Sequence, residues 1–154
     1  MCQKLYIAKM KSPTELEGAR YVISEPEYDF EKLGATGEDE SPFINEGAFP
    51  LWLDGELYLL YSAAGSWCED YCITYLKLTG DDILKRESWT KCDKPILSKN
   101  KEIKGAGHPS VIQKDGENQI FFHAWDKDEP VVVWNRVYAY AGHISKKDGE
   151  LIIK

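Results

Sequence analysis

Gly47-Ala48-Phe49-Pro50-Leu51-Trp52-Leu53, the turn Asp54-Gly55, and then Glu56-Leu57-Tyr58-Leu59-Leu60-Tyr61-Ser62 form the stretch that decides the fold. Two runs rich in aromatic and branched residues flank an Asp-Gly pair. That pair suits a two-residue turn in which both residues take positive φ, so the stretch reads as a β-hairpin. About 61 residues later the pattern recurs. His108-Pro109-Ser110-Val111-Ile112-Gln113-Lys114 leads to Asp115-Gly116 and then to Glu117-Asn118-Gln119-Ile120-Phe121-Phe122-His123-Ala124. Asp54-Gly55-Glu56 falls on Asp115-Gly116-Glu117, and Tyr61-Ser62-Ala63 falls on Phe122-His123-Ala124. A third turn, Asp148-Gly149-Glu150, precedes the closing run Leu151-Ile152-Ile153.

The residues around these hairpins are also strand-like. Leu5-Tyr6-Ile7-Ala8 and Ala19-Arg20-Tyr21-Val22-Ile23-Ser24 read as incoming strands, and residues 71–78 as another, rich in Tyr, Ile and Thr. Residues 28–42 are charged, small or Gly and read as a loop, while residues 81–89 support at most a short turn. An internal period near 60 residues with several strands per period is the mark of a blade array, in which four-stranded sheets stand radially about a channel. The expected fold is therefore all-β: a partial β-propeller of two to three blades. Within this single domain, residues 1–42 supply incoming strands and a loop. Residues 43–98 make one blade, and residues 99–154 make a second blade with a closing strand. Two full periods do not complete a ring, and a partial ring leaves open sheet edges that call for a partner.

Composition narrows the choice of partner. The 154 residues carry 19 basic and 26 acidic side chains, a net charge of −7 that repels nucleic acid and anionic membrane. Five Trp and nine Tyr suit an aromatic β core and equally a sugar-stacking surface, so a neutral saccharide is the more natural ligand. No apolar run approaches the roughly 18 residues of a membrane span. Met1-Cys2-Gln3-Lys4-Leu5-Tyr6 lacks the apolar core of a secretory signal, which leads to an expectation of cytoplasmic location. Cys2, Cys68, Cys72 and Cys92 lack zinc-site spacing; they read as free thiols, with a Cys68–Cys72 disulfide as the alternative.

Glu46 heads the first hairpin, where the innermost strand of a blade starts beside the axial channel. A carboxylic acid kept protonated there suits general acid catalysis of glycosidic cleavage, although a Glu before a Gly is by itself equally an ordinary surface carboxylate. The surrounding motifs add weight. Ile44-Asn45-Glu46-Gly47, Tyr61-Ser62-Ala63-Ala64-Gly65-Ser66-Trp67, Asp70-Tyr71-Cys72, Ser88-Trp89-Thr90-Lys91 with Pro95-Ile96-Leu97, and Gly105-Ala106-Gly107-His108-Pro109-Ser110 occur in an order that resembles glycoside hydrolase family 43. Upstream, Leu5-Tyr6-Ile7-Ala8-Lys9-Met10 and Ser24-Glu25-Pro26-Glu27-Tyr28-Asp29 match the stretch leading to that family's acid, and the arabinofuranosidase-like members are the most similar.

The resemblance implies a five-bladed propeller, of which this chain is the C-terminal portion, acting by inversion on arabinofuranosyl or xylosyl glycosides. It makes Glu46 the general acid. His108 becomes the axial histidine near which members hold a metal ion, often calcium, through water; a core imidazole bonded to backbone is the plainer reading of that residue. Ser62 and Trp67 would shape the sugar subsite, with Trp67 equally readable as packing. Arg136 is the candidate for the family's sugar-contacting arginine, or else a surface residue. The family's Asp base and its acid-tuning Asp precede the region matching Leu5, so the chain is expected to be incomplete alone. It would need a complementing N-terminal half or self-association; the alternative is a non-catalytic carbohydrate-binding or structural propeller fragment. Ala48 and Ala106 stand where the family commonly has Pro, and Pro109 where it often has Asn.

Overall fold

Each Asp-Gly pair closes a tight hairpin. In the computed structural model, which describes residues 2–34, 43–130 and 134–154, φ is 52° and 75° at Asp54 and Gly55. The corresponding values are 54° and 81° at Asp115 and Gly116, and 53° and 87° at Asp148 and Gly149. Positive φ at both central residues gives the turn twist that matches paired right-twisted strands. The hairpins are β4 (Phe43–Leu53) with β5 (Glu56–Ala63), β8 (Ile103–Lys114) with β9 (Glu117–Asp126), and β10 (Val137–Lys147) with β11 (Glu150–Ile153).

Three sheets result. The first has five strands in the order β1 (Cys2–Gln3), β4, β5, β6 (Cys72–Leu78), β7 (Trp89–Lys91). The second has four, ordered β11-β10-β9-β8. The third is the hairpin of β2 (Leu5–Ser12) and β3 (Glu15–Ser24) alone. The repeat read from the sequence is carried into the register. Glu46 pairs with Ser62 across β4–β5, and Gly107 pairs with His123 across β8–β9. A bulge follows Glu46, and irregularities flank Gly107 on both sides. Such bulges bend a strand and re-aim the side chains beside them.

Two apolar layers join the sheets. Leu51, Tyr58, Leu60, Ile73 and Tyr75 of the first sheet pack against Ile103, Ala106, Ile120, Phe122, Ile144 and Leu151 of the second. On the other face, Tyr61, Ala63, Cys72, Leu76 and Trp89 meet Leu5 and Ile23 of the β2–β3 hairpin. Each fully buried side chain of Leu or Ile size contributes about 1.5–3 kcal/mol, so these two layers fix the sheets face to face. This is blade-on-blade packing with a two-stranded sheet where the neighbours have four and five. The alternate face of β4 is left uncovered: Ala48, Pro50 and Trp52 are exposed, and a cleft of about 160 Å³ opens between Pro50, Leu57, Leu59 and Tyr6, Ile7, Ile23.

Several local expectations change. Trp89, the last of the residues 81–89 expected to hold at most a short turn, opens the outer strand β7, because Leu76–Leu78 offer Trp89-Thr90-Lys91 a free edge. β4 starts at Phe43, four residues before the expected Gly47, and so takes in Asn45 and Glu46. The loop expected over residues 28–42 contains a 3-10 turn, Asp29–Lys32, whose Glu31 is fully buried; residues 35–42 lie outside the described residues. Among the described residues no helix is long and apolar enough to cross a membrane.

Candidate functional site

Glu46 sits on β4 immediately before the bulge, half-buried, and its two carboxylate oxygens have different donors. Gln3 of β1 donates its side-chain amide to Oε2 at 3.1 Å, a contact made possible by the parallel pairing of Gln3 with Ile44. Tyr71, just before β6, donates its hydroxyl to Oε1 at 2.8 Å. Tyr71 is fully buried, and burial pushes its phenol far above the ordinary range, with the nearby Glu46 charge acting in the same direction and the Ser62 hydroxyl against it. The phenol therefore keeps its proton and remains a donor to Glu46 at every working pH.

The second sheet closes the site from the other side. The Tyr71 ring stacks on His123 at 5.8 Å and 17°, and His123 stacks on His108 at 6.1 Å and 25°. Gly107 allows this: a Cβ there would stand 1.8 Å from Cε1 of Tyr71. His108 takes a positive φ of 57°, and its backbone N–H donates to the buried Ser62 hydroxyl at 2.7 Å. Gly47, with φ of 60°, faces the His108 ring so closely that a Cβ would meet its Cδ2 at 3.2 Å. Burial lowers the His123 imidazole below its ordinary value, helped by neighbouring His108 and opposed by Glu46. Its Nε2 is buried with no hydrogen-bond partner among the described residues.

Three of the residues named from sequence thus converge: Glu46 near the start of β4 pairs with Ser62 near the end of β5, which accepts from the backbone of His108 midway along β8. Trp67 is partly buried and donates its indole N–H to the Gly34 carbonyl at 2.7 Å, which ties it to the segment before β4. Arg136 is exposed and bonds Glu129 at 2.6 Å. All four cysteines are free thiols.

Residues missed in the sequence are Gln3, Tyr71, His123 and Glu31. Two had a signal: the 61-residue repeat sets His123 on Ser62, and Tyr71 stands one residue before a strand whose first members are buried. Glu31 had almost none, since it sits in a charged stretch. Its carboxylate accepts from the backbone N–H of Glu27 at 2.7 Å and of Tyr28 at 2.9 Å, from Asn45 Nδ2 and the Tyr61 hydroxyl at 2.9 Å each, and from Lys91 Nζ at 3.0 and 3.1 Å. Asn45 also accepts from the Ser24 hydroxyl at 2.7 Å. The residue preceding Glu46 is therefore held by a buried polar network.

Chemically, this is a carboxyl group with fixed donors facing two stacked imidazoles. It can deliver or hold one proton. Among the described residues, no group of three or more His, Cys, Asp or Glu side chains is placed to hold a metal ion.

The family model of glycosyl hydrolases family 43 matches residues 2–149. An extracellular exo-α-(1→5)-L-arabinofuranosidase of Streptomyces avermitilis is 30% identical over 123 residues, covering 77% of this chain and 24% of that protein. Its counterpart from Streptomyces chartreusis is 29% identical over 125 residues, covering 78% and 36%. A thermostable family-43 glycoside hydrolase of known structure superposes with a TM-score of 0.80 at 30% identity over 98% of this chain and 47% of its own. An α-L-arabinofuranosidase from Lactobacillus brevis, at 24% identity and a TM-score of 0.80, shares the fold over 97% of this chain and 46% of its own. The chain thus spans about a quarter to a third of these curated relatives and just under half of the solved propellers. The expectation of a cytoplasmic protein is overturned, because both Streptomyces relatives are named extracellular. Of the residues on which it rested, Cys2 and Gln3 form β1 and Leu5 and Tyr6 open β2, so their lack of an apolar leader says nothing about export.

Proposed function

This chain belongs to glycosyl hydrolases family 43, and on that footing we propose that it supplies the acid half of an inverting glycosidase acting on arabinofuranosides or β-xylosides. The observation that carries the reading is the placement of Glu46, bonded by Gln3 and Tyr71 at the bulged head of β4 and facing the His108–His123 pair. In this reading Glu46 donates its proton to the leaving oxygen while an Asp outside residues 1–154 activates water on the opposite face of the sugar. The two carboxyl groups would stand about 6.5–9.5 Å apart to admit that water. Acid catalysis alone supplies roughly 10²–10⁴ in rate, well short of glycosidase rates, so Glu46 without its base turns over almost nothing.

Ser62 and His108 line the sugar subsite beside Glu46, and Trp67 flanks it through the segment of Gly34. Arg136 is kept as a sugar contact that requires release from Glu129. Calcium, in this proposal, meets the chain only through water. His108 offers one exposed imidazole, whereas calcium takes six to eight oxygen ligands. Bound there, the ion would supply positive charge near the site; no proton step of the chain depends on it.

Residues 1–154 act as one partial propeller domain, with blades at 43–98 and 99–154, and the missing strands come from a complementing N-terminal half or a second copy. The two-stranded β2–β3 sheet beside the exposed Ala48, Pro50 and Trp52 supports this, because its edges lack the partner strands that the four- and five-stranded sheets have. The active protein is secreted, as its Streptomyces relatives are named to be.

The test is hydrolysis of nitrophenyl α-L-arabinofuranoside and β-D-xyloside by the chain alone and by the chain mixed with the first two blades of a family 43 enzyme. Turnover that appears on mixing and vanishes with Glu46→Gln is the expected result. Saccharide binding without turnover in the mixture would instead favour a carbohydrate-binding propeller.

A further inference from the structure

The geometry points to Glu31 and Lys91 as a positioning pair that sets the orientation of Glu46 through Asn45. This inference rests on Glu46 being the carboxyl group of the site, and it goes beyond that by naming what holds it. The Glu31 side chain is completely buried and that of Lys91 nearly so, and the two meet at 3.0 Å. A buried charge is tolerated only when paired and hydrogen-bonded, and Glu31 is: five groups donate to its two oxygens. Lys91 is also satisfied, with its ammonium on the Glu25 carbonyl at 2.6 Å and over the rings of Tyr28 and Tyr61.

The network is specific in what it touches. Asn45 is buried, lies one residue before Glu46, and its side chain is held at both ends: Nδ2 on Glu31 and Oδ1 under the Ser24 hydroxyl. Its Nδ2 also reaches the Ile44 carbonyl at 2.9 Å, which fixes the side chain against its own backbone. A strand's successive side chains point to opposite faces, so clamping Asn45 on one face sets the direction of Glu46 on the other. Tyr61 connects the same clamp to β5, where its neighbour Ser62 pairs with Glu46. The bulge directly after Glu46 makes this clamp necessary, because the ladder to β5 is broken there until Phe49. Without Glu31 the head of β4 would keep the Ser24 bond to Asn45, the pairing with Ser62, and the Tyr71 and Gln3 bonds as its restraints.

The pair's position also separates it from a purely stabilising ion pair. Glu56, bridged by Lys77 and Lys146, is a comparable carboxylate cluster at the opposite end of the hairpin and serves as an internal control.

The experiment is NMR of the full chain labelled for Glu carboxyl carbons, Asn side-chain amides and Tyr rings, in wild type, Glu31→Gln and Tyr61→Phe. Glu31→Gln keeps the shape but turns an NH2 donor toward groups that are themselves donors. It should speed hydrogen exchange of the Asn45 side-chain amide about tenfold, the worth of a hydrogen bond to a charged group. It should also move the Glu46 carboxyl and Tyr71 ring signals while leaving Glu56 in place. Tyr61→Phe removes one bond to Glu31 and should give smaller shifts of the same residues. Unmoved Glu46 and Tyr71 signals in a folded variant with a lowered unfolding midpoint would overturn the inference and leave Glu31 a structural residue. If Glu31→Gln does not fold, Tyr61→Phe alone decides. None of these signals depends on turnover, so if they move while the reconstituted enzyme survives Glu46→Gln, the acid assignment falls and the positioning pair stands.

Discussion

Replacing Gly107 by alanine tests whether the two sheets meet as described. The φ of Gly107 is not in the left-handed region, so the backbone accepts alanine and only sterics oppose it. The added Cβ would lie 1.8, 2.4 and 2.6 Å from Cε1, Cδ1 and Cζ of Tyr71, distances no real contact tolerates. Tyr71 has nowhere to go: it is fully buried, stacked on His123 and bonded to Glu46. Overpacking of this kind costs about 1–3 kcal/mol, and displacing the phenol from Glu46 forfeits a hydrogen bond worth about 0.5–1.5 kcal/mol. A total near 3 kcal/mol would lower the urea midpoint by about 1–2 M for a domain of this size. Tyr71→Val removes the obstructing ring, so in a Tyr71→Val background the same Gly107→Ala change should cost little. The assay is urea unfolding followed by fluorescence across the double-mutant cycle, with a coupling of about 2 kcal/mol expected. Equal costs of Gly107→Ala in both backgrounds would refute the packing of Tyr71 over Gly107.

Three further outcomes follow from the same contacts. Lys91→Met leaves Glu31 buried without its counter-charge and should cost about 3–5 kcal/mol by urea unfolding, whereas an exposed partner such as Lys11 of the Lys11–Glu15 pair should cost under about 0.5 kcal/mol. His123 is held below its ordinary value of 6.5 by burial, so the unfolded chain takes up its proton first as pH falls. The stability that His123 supports is full above pH 6.5 and is lost on acidification, by at most about 1.4 kcal/mol at pH 5.5, and His123→Phe should remove that part of the difference between pH 7.5 and 5.5. Burial pushes the Cys72 thiol up to about 12, so iodoacetamide at pH 8 should leave Cys72 unmodified in the native chain and label it in urea, as read by peptide mass.

The hairpins were legible because Asp-Gly has few alternatives: Asp54-Gly55, Asp115-Gly116 and Asp148-Gly149 all adopt the positive-φ pair their chemistry favours. The repeat then carried information across the sheets, setting Glu46 with Ser62 and Gly107 with His123 at equivalent places. Glu46, Ser62 and His108 could be named because each stands in a motif that resembles glycoside hydrolase family 43. Glu31 could not, since a charged residue in a charged stretch reads as solvated until its burial is seen, and its side-chain partners Asn45, Tyr61 and Lys91 come from 14 to 60 residues away. Tyr71 was likewise hidden: its role depends on Gly107 making room in another sheet. Long-range satisfaction of buried polar groups is a property of the assembled fold, and local pattern carries little of it. The location of the protein was misread for a different reason: the residues searched for a leader include Cys2 and Gln3 of β1 and Leu5 and Tyr6 of β2, which belong to the folded domain.

The most direct measurement of the Glu46 assignment is the leaving-group dependence of hydrolysis in the reconstituted protein, comparing wild type with Glu46→Gln. An acid should matter where the leaving oxygen needs a proton. The variant is expected to lose about 10²–10⁴ on an unactivated arabinobioside and far less on a dinitrophenyl arabinofuranoside, whose leaving group departs unassisted. Equal loss on both substrates would contradict it.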